Sequence, residues 1–432
     1  MALRFSTYTI GCKLNYSETA SIRRTFAEAG LREVPFGEEA DVVVVNTCTV
    51  TSKADHDTRN IIRRALRVSP RAFVIVTGCA AQLRHDELAS IEGVDLIVGT
   101  EDKHRLLELA GDLRKVGMAR VVVRDLHRRP SFHAAFASEG SGRTRAFLKI
   151  QDGCDYRCTY CTVPLARGGS RSADIEATVS GVRNIVRQGF QEIVLTGVNV
   201  GDYGKGQGAS LADLVRAVIE LPGDFRLRIS SVEPDLLTDE LIELAAKGEK
   251  ICPHFHLPLQ SGSDEILRLM GRRYDTAFFR ERIEALKHKL PHTGIWVDVI
   301  VGFPGETEKH FEATRTFLEG LPVSALHVFT FSERPGTPAA AYGGHIPDAV
   351  KRERNGVLRR LSEGKRATFY RSELGSVRRV LFETGGERGM IEGFTENYIR
   401  VAVPQCTASP RTMRRVRLEQ IVMGRVLGVV ID

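Results

Sequence analysis

Cys154, Cys158 and Cys161 fall within eight residues, in the run Gln151-Asp-Gly-Cys-Asp-Tyr-Arg-Cys-Thr-Tyr-Cys-Thr-Val-Pro. Thiolates at this CxxxCxxC spacing can hold three corners of a cubane 4Fe–4S cluster and leave the fourth iron without a protein ligand. An open iron is a place for chemistry, by the logic that separates open catalytic zinc sites from closed structural ones. The alternatives are a zinc site or three unconnected buried thiols. Zinc usually takes a fourth Cys or His nearby, and none lies close in sequence.

Three more cysteines end apolar runs: Ile10-Gly-Cys12, Val45-Asn-Thr-Cys48 and Val76-Thr-Gly-Cys79. These runs belong to a first segment, residues 1–124. There, short strands (Phe5–Ile10, Asp41–Val45, Ala72–Val76, Asp95–Val98, Ala119–Val123) alternate with helix-period stretches such as Glu18–Ala29 and Arg59–Val68. Buried β-branched strands separated by helices predict an open, mostly parallel α/β sheet. Ligands of such sheets bind beyond the carboxyl ends of the strands, where the three cysteines could converge. Taken singly, each is also a small apolar residue ending a buried strand.

Residues 125–145, rich in Pro, Gly, Ser and basic charge, have the composition of a linker. From 146 to 371 the βα alternation resumes with six strands: Phe147–Gln151, Glu192–Gly197, Arg226–Ser231, His254–Leu259, Trp296–Val301 and Ala325–Phe331. Six units are too few for a closed eight-stranded barrel. Residues 372–432 hold five short strand-like runs with turns between them, the pattern of a small antiparallel β-barrel.

No apolar run reaches the roughly 18–20 residues that span a bilayer, and the N-terminus lacks a signal peptide's apolar core. A cytoplasmic protein without membrane association is expected, with its cysteines read as metal ligands rather than disulfides, apart from Cys252 and Cys406, which match no ligand motif and are expected as unliganded thiols. The formal net charge is +7. Between Asp348 and Arg371, eight basic residues face three acidic ones, a surplus of five in one helical segment. Such a helix is a solvated face or part of an RNA-binding surface.

The CxxxCxxC, the aromatic Tyr160 before its third cysteine and the strand ahead of it resemble the radical S-adenosylmethionine (SAM) superfamily. Adding Ile10-Gly-Cys-Lys-Leu-Asn, Val45-Asn-Thr-Cys-Thr-Val-Thr, Thr77-Gly-Cys-Ala, His256-Leu-Pro-Leu-Gln-Ser-Gly-Ser, Val301-Gly-Phe-Pro-Gly-Glu-Thr and Phe331-Ser-Glu-Arg-Pro-Gly-Thr-Pro-Ala, the whole chain resembles the methylthiotransferase family. That resemblance implies a partial (β/α)6 barrel in the middle and, from Phe394-Thr-Glu-Asn-Tyr-Ile-Arg-Val, a TRAM-like RNA-binding barrel at the end. It also implies two 4Fe–4S clusters, one on Cys154, Cys158 and Cys161 that cleaves SAM to a 5′-deoxyadenosyl radical, and one on Cys12, Cys48 and Cys79 that delivers sulfur. SAM contacts would come from Tyr160 at the adenine, Gly197 and Asn199 at the methionine amino group, and Glu233, Gln260 and Gly302 at the ribose or carboxylate. His254 and His256 share a face of one strand and are expected as packing or hydrogen-bonded residues.

Within that family, Gly11-Cys-Lys-Leu-Asn, Asn46-Thr-Cys-Thr-Val-Thr and Ser230-Ser-Val-Glu-Pro look most like the MtaB-type branch. That branch modifies C2 of N6-threonylcarbamoyladenosine at position 37 of tRNA. Its partners would be tRNA, an electron donor such as flavodoxin or ferredoxin, and a sulfur source. The same chemistry on isopentenyladenosine in tRNA or on an aspartate of a ribosomal protein is the alternative, and a non-enzymatic iron–sulfur RNA-binding protein the remote one.

Overall fold

Runs of Val and Ile build the first sheet. Its elements are β1 (Arg4–Thr9), α1 (Lys13–Glu28), β2 (Arg32–Glu33), β3 (Val42–Thr47), α2 (Ser52–Val68), β4 (Phe73–Gly78), α3 (Cys79–Leu83), β5 (Leu96–Val98) and β6 (Arg120–Val122). The strand order is β2-β1-β3-β4-β5-β6 and every pair is parallel. Strands β3 and β4 are buried along their whole length. Alternate side chains of one strand therefore serve two cores. Val43, Val45, Val74 and Val76 pack with Ile62 and Ala65 of α2. Val42, Val44, Phe73 and Ile75 pack with Ile22 and Phe26 of α1. The two-residue β2 is an addition to the expected strands.

This computed structural model describes residues 2–126, 131–137, 143–386 and 389–432; residues 127–130 and 138–142 of the expected linker lie outside them. The chain divides into two units. The first comprises Met1–Ser138, Phe147–Ala173 and Ser332–Ala340; the second comprises Glu139–Ala146, Asp174–Phe331 and Ala341–Asp432. Apart from that sheet, β7 (Phe136–Ala137) runs antiparallel to β8 (Ala146–Lys149), and β9 (Gln151–Asp152) forms a separate antiparallel pair with β10 (Arg171–Ser172).

The second unit carries the βα repeats: β11 (Glu192–Thr196) parallel to β12 (Arg226–Ile229), and β13 (His254–Gln260), β14 (Gly294–Val301) and β15 (Ala325–Thr330) parallel to one another. Its last five strands, β16 (Val377–Phe382), β17 (Met390–Thr395), β18 (Arg400–Pro404), β19 (Met413–Val422) and β20 (Arg425–Val430), close a barrel in the order β16-β17-β18-β20-β19. Closure runs through a parallel pair, β18 with β20, so the barrel departs from the purely antiparallel expectation.

Buried charge seats this barrel on the repeats. Glu192 binds Arg226 at 2.6 Å and Arg228 at 2.7 Å. The two guanidiniums then donate to the carbonyls of Arg379, Phe394 and Glu396, at 2.8, 2.8 and 3.0 Å. Thr395 and Asn397, which carry the TRAM-like signature, are wholly buried, and Asn397 donates to the His292 carbonyl at 3.0 Å. These two residues shape a turn and a seam; they are not an RNA-facing surface. The basic helix Asp348–Ser372 is likewise partly turned inward. Arg354 pairs with Glu306 at 2.7 Å, Lys365 donates to the carbonyls of Glu319 and Leu321, and the Lys351 stem lies against Gly302. Arg352, Arg359, Arg360 and Arg371 remain exposed.

Candidate functional site

All six motif cysteines lie in the first unit. Cys12 caps the start of α1, Cys48 follows β3 and Cys79 opens α3, so each sits at the carboxyl end of one of three adjacent parallel strands. The strand ends are laced together. Asn15 Nδ2 donates to the carbonyls of Ile10 at 2.8 Å and Thr47 at 3.0 Å. Thr47 Oγ1 donates to the Thr77 carbonyl at 2.6 Å. Gly11, at φ 111°, passes so close that a Cβ there would stand 2.8 Å from Cys48 Cβ and 3.1 Å from its sulfur. Burial pushes the Cys48 thiol up to about 12, and the charges of Cys79 and Cys12 push it the same way. Three sulfurs near enough to repel as thiolates suit a group that brings positive charge, as iron does.

The CxxxCxxC forms the loop between β9 and the helix Val163–Arg167. Cys158 is buried, and Cys154 and Cys161 are half-buried. The Cys154 amide donates to the Gly168 carbonyl at 3.1 Å. Gly153 makes this approach possible: at φ 68°, a Cβ there would sit 2.0 Å from the Gly169 carbonyl oxygen. Two backbone amides point back at cysteine sulfurs, Tyr156 at Cys154 (3.4 Å) and Val163 at Cys161 (3.5 Å). Amides on sulfur stabilise thiolates and tune the potential of a cluster they hold. Both cysteine sets thus fit iron–sulfur ligation in their donor chemistry.

Sequence reasoning missed what ties the two sets to each other. Arg167, six residues after Cys161, is buried and donates to Asn15 Oδ1 at 2.6 Å, to Glu18 at 2.9 Å and to Asp152 at 2.9 Å. Lys103 and Lys149 reach Glu18 at 2.5 and 3.1 Å; Lys149 and Arg171 reach Asp152 at 2.7 and 2.9 Å. Burial alone would raise the Glu18 carboxyl, but Arg167, Lys103 and Lys149 hold it well below the usual carboxylate range. Two carboxylates against four cations leave positive charge in excess, and the charge of Cys79 is felt by both Arg167 and Lys103.

A second tie uses Ser332–Ala340. Arg334 reaches Asp55 at 2.5 Å and Ser52 at 2.6 Å, Asp55 accepts from Thr49 next to Cys48 at 2.7 Å, and the Ala339 amide donates to the Thr159 carbonyl between Cys158 and Cys161 at 2.8 Å. The motif Phe331-Ser-Glu-Arg-Pro-Gly-Thr-Pro-Ala was a signal for Arg334. For Glu18 and Arg167 no local pattern gave one.

Of the expected SAM contacts, Tyr160 lies in the first unit and the other five in the second. Gly197 and Asn199 follow β11, and Asn199 is buried. Glu233, beyond β12, pairs with Arg272; burial pushes its carboxyl up to about 7 against the pull of that guanidinium. Gln260 ends β13 with φ 74°, a left-handed conformation that non-glycine residues rarely hold without reason. Gly302, just after β14, donates its amide to Glu306 at 2.6 Å. Each therefore lies at or just beyond the carboxyl end of its strand. His254 is buried and His256 half-buried, and His256 is hydrogen-bonded to Ser231 and Asp298, as a hydrogen-bonded role requires.

Residues 148–318 match the model of the Radical SAM superfamily, and residues 4–99 that of the Uncharacterized protein family UPF0004. The chain is 40% identical over 400 residues to the threonylcarbamoyladenosine tRNA methylthiotransferase MtaB of Bacillus subtilis, covering 91% of this chain and 89% of that one. It is 39% identical to the MtaB of Aquifex aeolicus, covering 91% and 95%. To the tRNA-2-methylthio-N(6)-dimethylallyladenosine synthase of Aquifex aeolicus it is 34% identical, covering 92% of each chain. Among solved structures, the radical S-adenosylmethionine methyltransferase TsrM of Kitasatospora setae shares the fold, with a TM-score of 0.57 at 17% identity over 78% of this chain and 75% of that one.

Proposed function

The chain belongs to the radical SAM methylthiotransferase family, and from that premise we propose that it methylthiolates C2 of N6-threonylcarbamoyladenosine at position 37 of tRNA. A 4Fe–4S cluster and SAM come with the family. The substrate reading is supported by the Aquifex relative named for threonylcarbamoyladenosine, which is more similar to this chain than the dimethylallyladenosine synthase of the same organism. The observation that carries the reaction is the joining of both cysteine sets within one unit by Asn15, Arg167 and Arg334.

When bound, the cluster on Cys154, Cys158 and Cys161 with SAM would supply a radical that removes hydrogen from an unactivated C–H bond, and a second cluster on Cys12, Cys48 and Cys79 the sulfur that replaces it. The residues of the chain hold and order these groups. Amides of Tyr156 and Val163 face the sulfurs of Cys154 and Cys161 and would donate to them in the cluster. The buried Glu18–Arg167–Asp152 network fixes the segments around the cysteines. Tyr160, Gly197, Asn199, Glu233, Gln260 and Gly302 take the SAM contacts expected of them.

In this reading residues 1–124 carry the sulfur-delivering centre, 146–371 the radical chemistry and 372–432 an RNA-binding barrel. Exposed Arg352, Arg359, Arg360 and Arg371 add to the RNA surface. An external electron donor such as flavodoxin or ferredoxin and a sulfur source complete the cycle. No described helix is long and apolar enough to cross a membrane.

Mass spectrometry of tRNA nucleosides from a host lacking this activity, with and without the gene, tests the proposal. The 2-methylthio derivative of threonylcarbamoyladenosine is expected, and is expected to vanish in Cys48→Ala and Cys158→Ala. Its absence, with the isopentenyl derivative in its place, would transfer the reading to the other tRNA branch.

A further inference from the structure

Three parallel neighbours in the second unit aim polar side chains at one point. His256 lies on β13, Asp298 on β14 and His327 on β15, with Asp298 in register with His327. Along β14 the side chains alternate, Val297, Val299 and Val301 buried and Trp296, Asp298 and Ile300 half-exposed, so Asp298 stands on the open face of the strand. His256 Nε2 lies 2.7 Å and His327 Nδ1 3.1 Å from the same oxygen, Oδ1 of Asp298. The two ring nitrogens are 3.3 Å apart. The Ser231 hydroxyl bonds the remaining nitrogen of His256.

This pattern fixes the protons. One carboxylate oxygen approached by two ring nitrogens must accept from both, so His256 carries hydrogen on Nε2 and His327 on Nδ1. Ser231 then donates to His256 Nδ1, and the demands of His256 are met on both edges. His327 differs. Only its Nδ1 is engaged by Asp298, and its side chain is 43% exposed against 17% for His256 and 20% for Asp298. Its Nε2 is left for a ligand. As an imidazolium it donates there to an anion; as a neutral ring it accepts there from a hydroxyl. Asp298 is kept ionised, its carboxyl near 2 because hydrogen bonds from His256 and His327 overcome its burial.

We infer that His327 binds the threonyl end of the modified adenosine, its Nε2 meeting the carboxylate and hydroxyl of that group, with Asp298 and His256 as positioning residues. This rests on the substrate reading above. Of the two adenosines that reading weighs, only the threonylcarbamoyl one carries a negative charge and a hydroxyl at this end. The isopentenyl group is apolar and gives an imidazolium nothing to bond.

The test uses the full chain with its clusters reconstituted anaerobically, and three anticodon stem–loops: threonylcarbamoyladenosine, its threonyl methyl ester, and isopentenyladenosine. Binding and 5′-deoxyadenosine formation are measured for wild type, His327→Phe, His327→Gln and Asp298→Asn. Wild type is expected to prefer the acid over the ester by about 10- to 100-fold, the span of a charge-assisted hydrogen bond. His327→Phe should lose that preference while its affinity for the ester, which keeps the hydroxyl but not the charge, falls by no more than about tenfold, the worth of a neutral hydrogen bond. His327→Gln keeps a neutral donor and should retain part of it; Asp298→Asn should weaken it without abolishing it. Retention of the full acid preference by His327→Phe with iron content unchanged would overturn the inference. So would a stoichiometric non-iron metal in wild type that His327→Phe removes, since two imidazoles and a carboxylate can also hold a divalent ion. Failure of the substrate reading shows differently: wild type itself would not favour threonylcarbamoyladenosine over isopentenyladenosine.

Discussion

One cysteine set occupies eight consecutive residues on a single loop; the other is gathered from three strand ends separated by 36 and 31 residues. The local set is shaped by its own neighbourhood: Gly153 lets the backbone close on Gly169, and the amides of Tyr156 and Val163 face its sulfurs. The assembled set has no such self-sufficiency. Its shape is the register of β1, β3 and β4, transmitted through Asn15 and Thr47. A set written into one loop leans on distant segments at few points, here Arg167 and Ala339. One borrowed from a sheet inherits every error of the sheet.

The sharpest way to separate the two is to remove one cysteine from each. Cys158→Ala is expected to abolish both 5′-deoxyadenosine formation and methylthio product, because in the proposed reaction the local set starts the chemistry. Cys48→Ala is expected to keep 5′-deoxyadenosine formation and lose only the product. Single-turnover assays with tRNA that count both species per chain check the pair. Equal loss of both species in Cys48→Ala would show that the sets do not act separately.

How far the sequence discloses each set follows the same division. CxxxCxxC is legible because its information is contiguous. Cys12, Cys48 and Cys79 are legible as strand-end residues because Val and Ile runs mark the strands, and parallel sheets put their sites at those ends. What stays hidden is whatever only a tertiary partner decides. Glu18 looks like a solvated residue of an amphipathic helix until Arg167, Lys103 and Lys149 meet it inside. Arg354, Lys351 and Lys365 count toward a basic face by composition, yet the fold spends them on Glu306, Gly302 and two carbonyls. Thr395 and Asn397 match an RNA-binding signature and turn out to be buried in a turn. A two-residue strand such as β2 is too short to leave a period at all.

Between the sets stands Arg167, and its removal should injure both. Arg167→Met leaves Glu18 and Asp152 buried with fewer partners, a loss of about 3–5 kcal/mol for a broken buried network. Urea unfolding of the apo chain measures it. The gap to wild type should depend on pH in a defined sense. Arg167 holds both carboxyls below their ordinary values, so its contribution is present above the usual carboxylate range. It is lost as pH falls through their folded values, where protonated acids no longer need a cation. The two unfolding curves should therefore converge below about pH 4. A gap that stayed constant through that range would mean that Arg167 acts by packing.

A smaller change should reach the assembled set alone. Asn15 Nδ2 holds the carbonyls of Ile10 and Thr47, one beside the turn that presents Cys12 and the other beside Cys48. Asn15→Ala leaves both carbonyls and one Arg167 donor unmatched, at a cost of about 1–3 kcal/mol. The Cys154 loop keeps Gly153 and its amide–sulfur contacts untouched. Iron per chain is then expected to fall toward the content of one cluster, while 5′-deoxyadenosine formation persists and methylthio product declines in step with the iron. Iron retained at the wild-type level would place the cohesion of the assembled set in the sheet register itself. Lost cleavage activity would mean that Asn15, through Arg167, supports the local set as well, and that the independence of the loop is narrower than its sequence suggests.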